Sequence, residues 1–233
     1  MSVQSLLLRH GRIEQRVCFA VVDAVPAEEF LSEREQAQLG EYKFAKKKQD
    51  FLFGRLAAKS AIGALIPERD LRRIEIRAGE QGQPLIQHPQ AGSAEVTVSH
   101  SHGIAVALAY TAAYPMGIDL ETVSAVSAGT IMDKLGISAA EQAWLAAAGV
   151  DDATACCVLW TAREALGKAL KVGLDRPLGA LSLNEICAVG DGSWIGRYLN
   201  YSQCQCLIQA RGGRVLSLAM PGDAELNAWP RLK

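Results

Sequence analysis

A chain of 233 residues with 49% hydrophobic and 21% charged side chains has the make-up of an ordinary globular protein, long enough to bury a core as one domain or as two small halves. Its formal net charge of -1 excludes a global field that would recruit nucleic acid or an acidic membrane, and no apolar run approaches the roughly 20 residues that span a bilayer. The start, Met1-Ser2-Val3-Gln4-Ser5, lacks the basic region and apolar core of a signal peptide, so a cytoplasmic location is expected.

Along the chain, residues 17–25 are apolar and β-rich enough for a first strand. Pro26 stands where a helix can start, leading into Glu28-Glu29-Phe30-Leu31. A second helix is predicted over 49–66, stopping before Pro67. Ile74 and Ile76 alternate with charged neighbours and mark a strand, and Gly79-Glu80-Gln81-Gly82-Gln83-Pro84 is a turn by its glycines and proline. Strands follow over 95–99, 104–110 and 117–121. The second half repeats the order, with helical patterns over 131–134, 139–147 and 154–171, then strands near 181–189, 194–199, 204–210 and 215–220. Each half is a long helix followed by antiparallel-looking strands. The predicted fold is therefore α+β in two related halves, 1–115 and 116–233, with a cleft between them as a natural ligand site.

The six cysteines make no C-x-x-C spacing and sit mostly among apolar neighbours, so they read as small buried hydrophobes in a reducing compartment. The four histidines form no H-E-x-x-H pattern, and a transition-metal site is not expected.

Oxygen ligands are better represented. In Gly117-Ile118-Asp119-Leu120-Glu121 the two acids share one face of an extended strand, within reach of one hard cation; they suit a solvated edge strand as well. In Trp160-Thr161-Ala162-Arg163-Glu164-Ala165-Leu166-Gly167-Lys168, residues 160, 164 and 168 form one stripe of a helix. A glutamate four residues before a lysine is also the everyday helix-stabilising pair, but Leu159, Trp160, Leu166 and Leu170 make this helix apolar enough to be buried. Three carboxylates and a lysine able to converge suggest a divalent metal handling a phosphate. Ser99-His100-Ser101-His102-Gly103 offers a hydroxyl, an imidazole and turn amides that suit a phosphate or nucleotide, or a plain polar turn. Arg55 and Lys59, four apart on the first long helix, present two cations among small apolar residues, whereas Lys46-Lys47-Lys48 reads as a solvated face.

The order of these motifs, G-R-x-x-A-K, V-S-H-S, G-I-D-L-E and W-T-A-R-E-A-x-x-K, resembles the 4′-phosphopantetheinyl transferases over residues 40–185. More closely it looks like their long, pseudo-dimeric branch, typified by the surfactin-synthetase activating enzyme. The resemblance implies two similar α+β halves about a pseudo-twofold axis, each a long helix on a small antiparallel sheet, with the active site in the cleft between them. It implies a holo-carrier-protein synthase that moves phosphopantetheine from coenzyme A to a serine of an apo-acyl or peptidyl carrier protein. Mg2+ would be held by Asp119, Glu121 and Glu164. Glu164 would serve as base and Lys168 would contact the pyrophosphate. Arg55, Lys59, Gln83, Ser99 and His100 would hold the coenzyme. Two positions depart from the family pattern: Gln83 stands where a G-K-P turn has lysine, and Arg163 stands where lysine is common. Expected partners are the carrier protein and coenzyme A, without nucleic acid or membrane, and a monomer suffices. Two other readings share these residues, a non-catalytic module that binds coenzyme A or a carrier protein, and a Mg2+-dependent nucleotide pyrophosphohydrolase.

Overall fold

In the computed structural model the described residues are 1–24, 28–123, 132, 135–172, 177–190 and 192–232. They form two compact units, Met1–Pro115 with Ala224–Lys233, and Met116–Asp223.

The first unit opens with strands β1 (Ser2–His10) and β2 (Ile13–Val22), followed by helices α1 (Glu33–Glu41) and α2 (Ala45–Leu65). Strands β3 (Glu75–Ala78), β4 (Pro84–Gln87), β5 (Ala94–Ser101) and β6 (Ile104–Thr111) come next, and β12 (Ala224–Leu226) returns from the chain's end. Its five-stranded antiparallel sheet runs β12-β1-β2-β6-β5, and β3 pairs with β4 apart from it. Helix α2 lies on one face of that sheet. Its Phe53, Ala57, Ala58, Ala61 and Ile62 pack with Cys18, Ala20 and Val22 of β2 and Ala105, Ala107 and Ala109 of β6. Alanine on both surfaces lets helix and sheet approach closely.

The second unit has the same plan. Strand β7 (Gly117–Thr122) leads to helices α3 (Ala139–Ala147) and α4 (Asp152–Leu170), then to β8 (Leu183–Gly190), β9 (Ser193–Tyr198), β10 (Cys204–Arg211) and β11 (Arg214–Pro221). The antiparallel order is β7-β11-β10-β9-β8, so the last strand returns beside the first, as β6 returns beside β2. Helix α4 packs Leu159, Ala162, Ala165, Leu166 and Ala169 with Ile208, Val215 and Ala219 of the sheet, and Trp144 of α3 meets Trp194 edge-on at 5.7 Å between ring centroids.

The α+β class is as expected, with a long helix on an antiparallel sheet in each unit. The differences are local. Strand β1 was not anticipated, because the Leu6-Leu7-Leu8 run breaks the alternation that marks a strand. Strands β4 and β12 are too short to carry a period. Helix α1 begins at Glu33, where Ser32 and Glu35 form a capping box. The helix start expected at Pro26, and residues 131, 133 and 134 of the helical pattern expected there, lie outside the described residues. Among the described residues no helix is long and apolar enough to cross a membrane. None of the six cysteines is in a disulfide, and Cys18, Cys156, Cys157 and Cys206 are buried as expected, while Cys187 is exposed. Burial raises the pKa of all four buried thiols, Cys157 and Cys206 to about 12, which keeps them protonated and unreactive.

Strand β7 and helix α4 approach closely at Gly117. A Cβ placed on Gly117 would lie 1.9 Å from the Ala165 carbonyl oxygen and 2.5 Å from the Ala169 amide nitrogen, both backbone atoms of α4. Gly117→Ala should therefore destabilise the protein by about 3 kcal/mol or more, the upper end for overpacking, since the atoms it meets cannot rotate away. Gly54→Ala in α2, whose Cβ would meet only a Val98 methyl at 3.7 Å, should instead stabilise by up to about 1 kcal/mol. Urea unfolding of the two variants checks the pair, and equal midpoints would refute the close contact.

Candidate functional site

Because Gly117 brings β7 against α4, the residues that alternate with it on that strand, Asp119 and Glu121, point to the helix side of the sheet. Asp119 is buried and Glu121 half-buried. Opposite Asp119 in register on β11 is Ser217, whose hydroxyl lies 2.7 Å from that of Thr161 on α4. Thr161 also donates to the Cys157 carbonyl of its own helix, and the Tyr198 hydroxyl donates to the Ala162 carbonyl. The Thr161–Ser217 and Tyr198–Ala162 bonds tie α4 to the sheet.

Trp160, Glu164 and Lys168 fall on one less-buried stripe of an otherwise buried stretch of helix. Lys168 Nζ donates to Asp119 Oδ1 at 2.7 Å, so the lysine reaches across to the strand acid. Glu164 is left in a different state. Its Oε1 is buried and makes no hydrogen bond, and its carboxyl is pushed up to about 7. Burial is the main cause, the charges of Asp119 and Glu121 add to it, and Lys168 opposes them. The four side chains that the sequence singled out in this half are thus brought together.

The donor set suits a hard cation, being all carboxylate oxygen. An unbonded buried oxygen on Glu164, with two neighbouring carboxylates raising its pKa, is what a cation would relieve. Among the described residues, however, no three His, Cys, Asp or Glu side chains form a ready metal cage, and Asp119 Oδ1 is engaged by Lys168. The fit is one of chemistry and neighbourhood.

The residues singled out in the first unit are spread more widely. Arg55 and Lys59 both lean on the buried Glu35 of α1. Lys59 is fully buried, ion-paired to Glu35 and donating to the Phe30 carbonyl at 2.9 Å, and burial lowers its pKa against the pull of Glu35. Arg55 keeps some exposure, stacks over the Phe51 ring at 4.7 Å and has its Nε 3.4 Å from Glu35. Ser99 and His100 are consecutive on β5 and so face opposite sides of the sheet; Ser99 is buried, and His100 is exposed with its Nδ1 3.9 Å from Asp50 of α2. The Gln83 side chain folds over its own turn and accepts from the Gln81 amide at 2.9 Å.

Sequence reasoning missed Glu35 and Glu141, the two buried acids on which the long helices lean. The signal was present: each is the third residue after a helix-capping serine, Ser32 or Ser138.

Residues 115–218 match the family model described as the 4'-phosphopantetheinyl transferase superfamily. No curated protein matches the chain significantly. Solved structures include a holo-(acyl-carrier-protein) synthase from Bacillus anthracis in complex with CoA (3',5'-ADP), 20% identical, covering 45% of this chain and 96% of that one at a TM-score of 0.38. The Thermotoga maritima holo-[acyl-carrier-protein] synthase is 26% identical, covering 41% of this chain and 61% of that one at a TM-score of 0.34. The Helicobacter pylori synthase, in complex with coenzyme A, is 20% identical, covering 41% of this chain and 98% of that one at a TM-score of 0.34. Residues 115–218, the segment that contains Asp119, Glu121, Glu164 and Lys168, thus match the model of the 4′-phosphopantetheinyl transferase superfamily, the family to which the motifs pointed.

Proposed function

We propose that this protein transfers the 4′-phosphopantetheine group of coenzyme A to a serine of an apo-acyl or peptidyl carrier protein, with release of 3′,5′-ADP. The observation that carries the reading is the setting of Glu164, a half-buried carboxyl with one buried oxygen, near two carboxylates and an ammonium, all within the segment that matches the superfamily.

Asp119, Glu121 and Glu164 are the residues that would hold Mg2+. When bound, the ion supplies fixed positive charge against the pyrophosphate oxygens. Glu164, with its pKa near neutrality, suits a group that takes the proton of the attacking serine hydroxyl. The serine oxygen bonds to the β-phosphorus as the bond from that phosphorus to the bridging oxygen breaks. Lys168, whose ammonium is already turned toward Asp119, would steady the departing phosphate. In the first unit, Arg55, Gln83, Ser99 and His100 are assigned to the coenzyme's phosphates and ribose. Lys59 would support them through Glu35, the acid it shares with Arg55.

A panel of apo-carrier proteins incubated with the protein, coenzyme A and Mg2+ should gain phosphopantetheine by intact-mass spectrometry, and a panel left unchanged would sink the proposal. Asp119→Ala should reduce loading by about a hundredfold or more while the protein still melts cooperatively; wild-type loading by that variant removes Asp119 from the site. Phosphopantetheine release from coenzyme A without any carrier would favour the pyrophosphohydrolase instead.

The pH dependence follows from Glu164. Its carboxyl is raised to about 7, and a cation needs the ionised form, so affinity rises as pH increases through 7. Titration calorimetry should find Mg2+ bound about tenfold more weakly at pH 6 than at pH 8, with proton release near pH 7. Glu164→Gln should flatten the profile; a flat wild-type profile would take Glu164 out of the ligand set.

A further inference from the structure

Each unit holds a buried carboxylate used in the same way. In the second unit Glu141 is fully buried. Its Oε2 accepts from the capping Ser138 amide at 2.8 Å and from Arg163 Nη2 at 2.9 Å, and its Oε1 accepts from the Leu183 amide at the start of β8 at 3.0 Å. In the first unit Glu35 is equally buried. Its Oε2 accepts from the capping Ser32 amide at 3.0 Å and pairs with Lys59, and its Oε1 accepts from the Ile76 amide in β3 at 3.2 Å. Short helix, long helix and the next strand are tied to one carboxylate in both units.

The tie also sets a register between the two long helices. With Lys59 laid on Arg163, Ala58-Lys59-Ser60-Ala61-Ile62-Gly63 falls on Ala162-Arg163-Glu164-Ala165-Leu166-Gly167. Every position agrees in kind but one, and that one is Glu164. Arg163 is the most heavily bonded side chain of α4. It also donates to the Leu159 carbonyl at 3.2 Å, the Leu178 carbonyl at 3.0 Å and the Ser182 hydroxyl at 3.1 Å.

We propose that Arg163 and Glu141 are positioning residues: by clamping α4 to α3 and β8 they set the rotation at which Glu164 and Lys168 meet Asp119 and Glu121. The clamp rests on the transferase reading for its consequence and on the repeated geometry for its existence. A buried ion pair rarely adds net stability over apolar residues of the same size. Its recurrence with different cations, lysine and arginine, is better explained by the register it imposes on the helix.

Removing one partner leaves an unpaired buried charge, so the test uses the double variant Arg163→Met/Glu141→Gln alongside Arg163→Lys. Both are compared with wild type for melting, for carrier loading and in crystal structures. The expected result is that Arg163→Lys loads carrier within about threefold of wild type. The double variant should melt cooperatively yet lose about a hundredfold in kcat with little change in KM for coenzyme A. Its Lys168–Asp119 contact should open beyond about 3.5 Å. A folded double variant with wild-type kcat and an intact contact overturns the clamp. If wild type itself loads no carrier, the transferase reading fails, and the crystallographic distance alone then decides the clamp.

Discussion

The Ala165 carbonyl and the Ala169 amide of α4 lie where a side chain on Gly117 would be, and this contact organises the second unit. A helix resting on a strand through backbone atoms stands closer than one separated by even a methyl group. On such a strand the next residues of the same face are carried up against the helix flank. That is why Asp119 and Glu121 reach Glu164 and Lys168, although 164 and 168 lie on the edge of the helix and not on its buried face. The Thr161–Ser217 bond, directly across from Asp119, adds a further tie between helix and sheet.

Closeness has an electrostatic consequence. Three carboxylates and one ammonium leave excess negative charge in a partly buried place, and Lys168 is spent on Asp119. Two remedies exist. Glu164 can keep its proton, which is the direction of its shifted pKa, or a cation can enter. The two exclude each other on the same oxygen atoms. Metal binding and proton loss are therefore linked, and whether Glu164 serves as ligand or as proton acceptor depends on which oxygen the cation takes. The same environment supports both roles, which is why neither residue type nor spacing ranked them.

Much of this was legible in the sequence. The two acids of β7 were readable because strand alternation is strict, and the 160–164–168 stripe because helical spacing is. Helix α3 was readable to the residue, and α4 to within two. What could not be read was partnership. Lys168 is spaced for Glu164 but bonds to Asp119, since a long flexible side chain goes to the strongest acceptor in reach and not to its neighbour in sequence. Lys59 looked available for a phosphate because small residues surround it; those same residues bury it against Glu35, an acid far away in the chain. Ser99 and His100 looked like one motif, yet consecutive strand residues face opposite sides.

The clamp register makes the two units comparable position by position, and the comparison separates scaffold from chemistry. Where α4 has Glu164 and Lys168, α2 has Ser60 and Ala64, and the buried run of β2 from Val17 to Val22 contains no acid where β7 has two. The shared features, a capped short helix, a buried acid, a cation on the long helix and a strand amide, all concern how elements are held. The features that differ are those that give the second unit its charge. The first unit keeps these shared features without a counterpart of Asp119, Glu121, Glu164 or Lys168, so holding the elements together does not require those four groups. Gathering three carboxylates around one ammonium carries an electrostatic cost that the Lys168–Asp119 pair offsets only in part, which is the physical ground for reading Asp119, Glu121, Glu164 and Lys168 as a site.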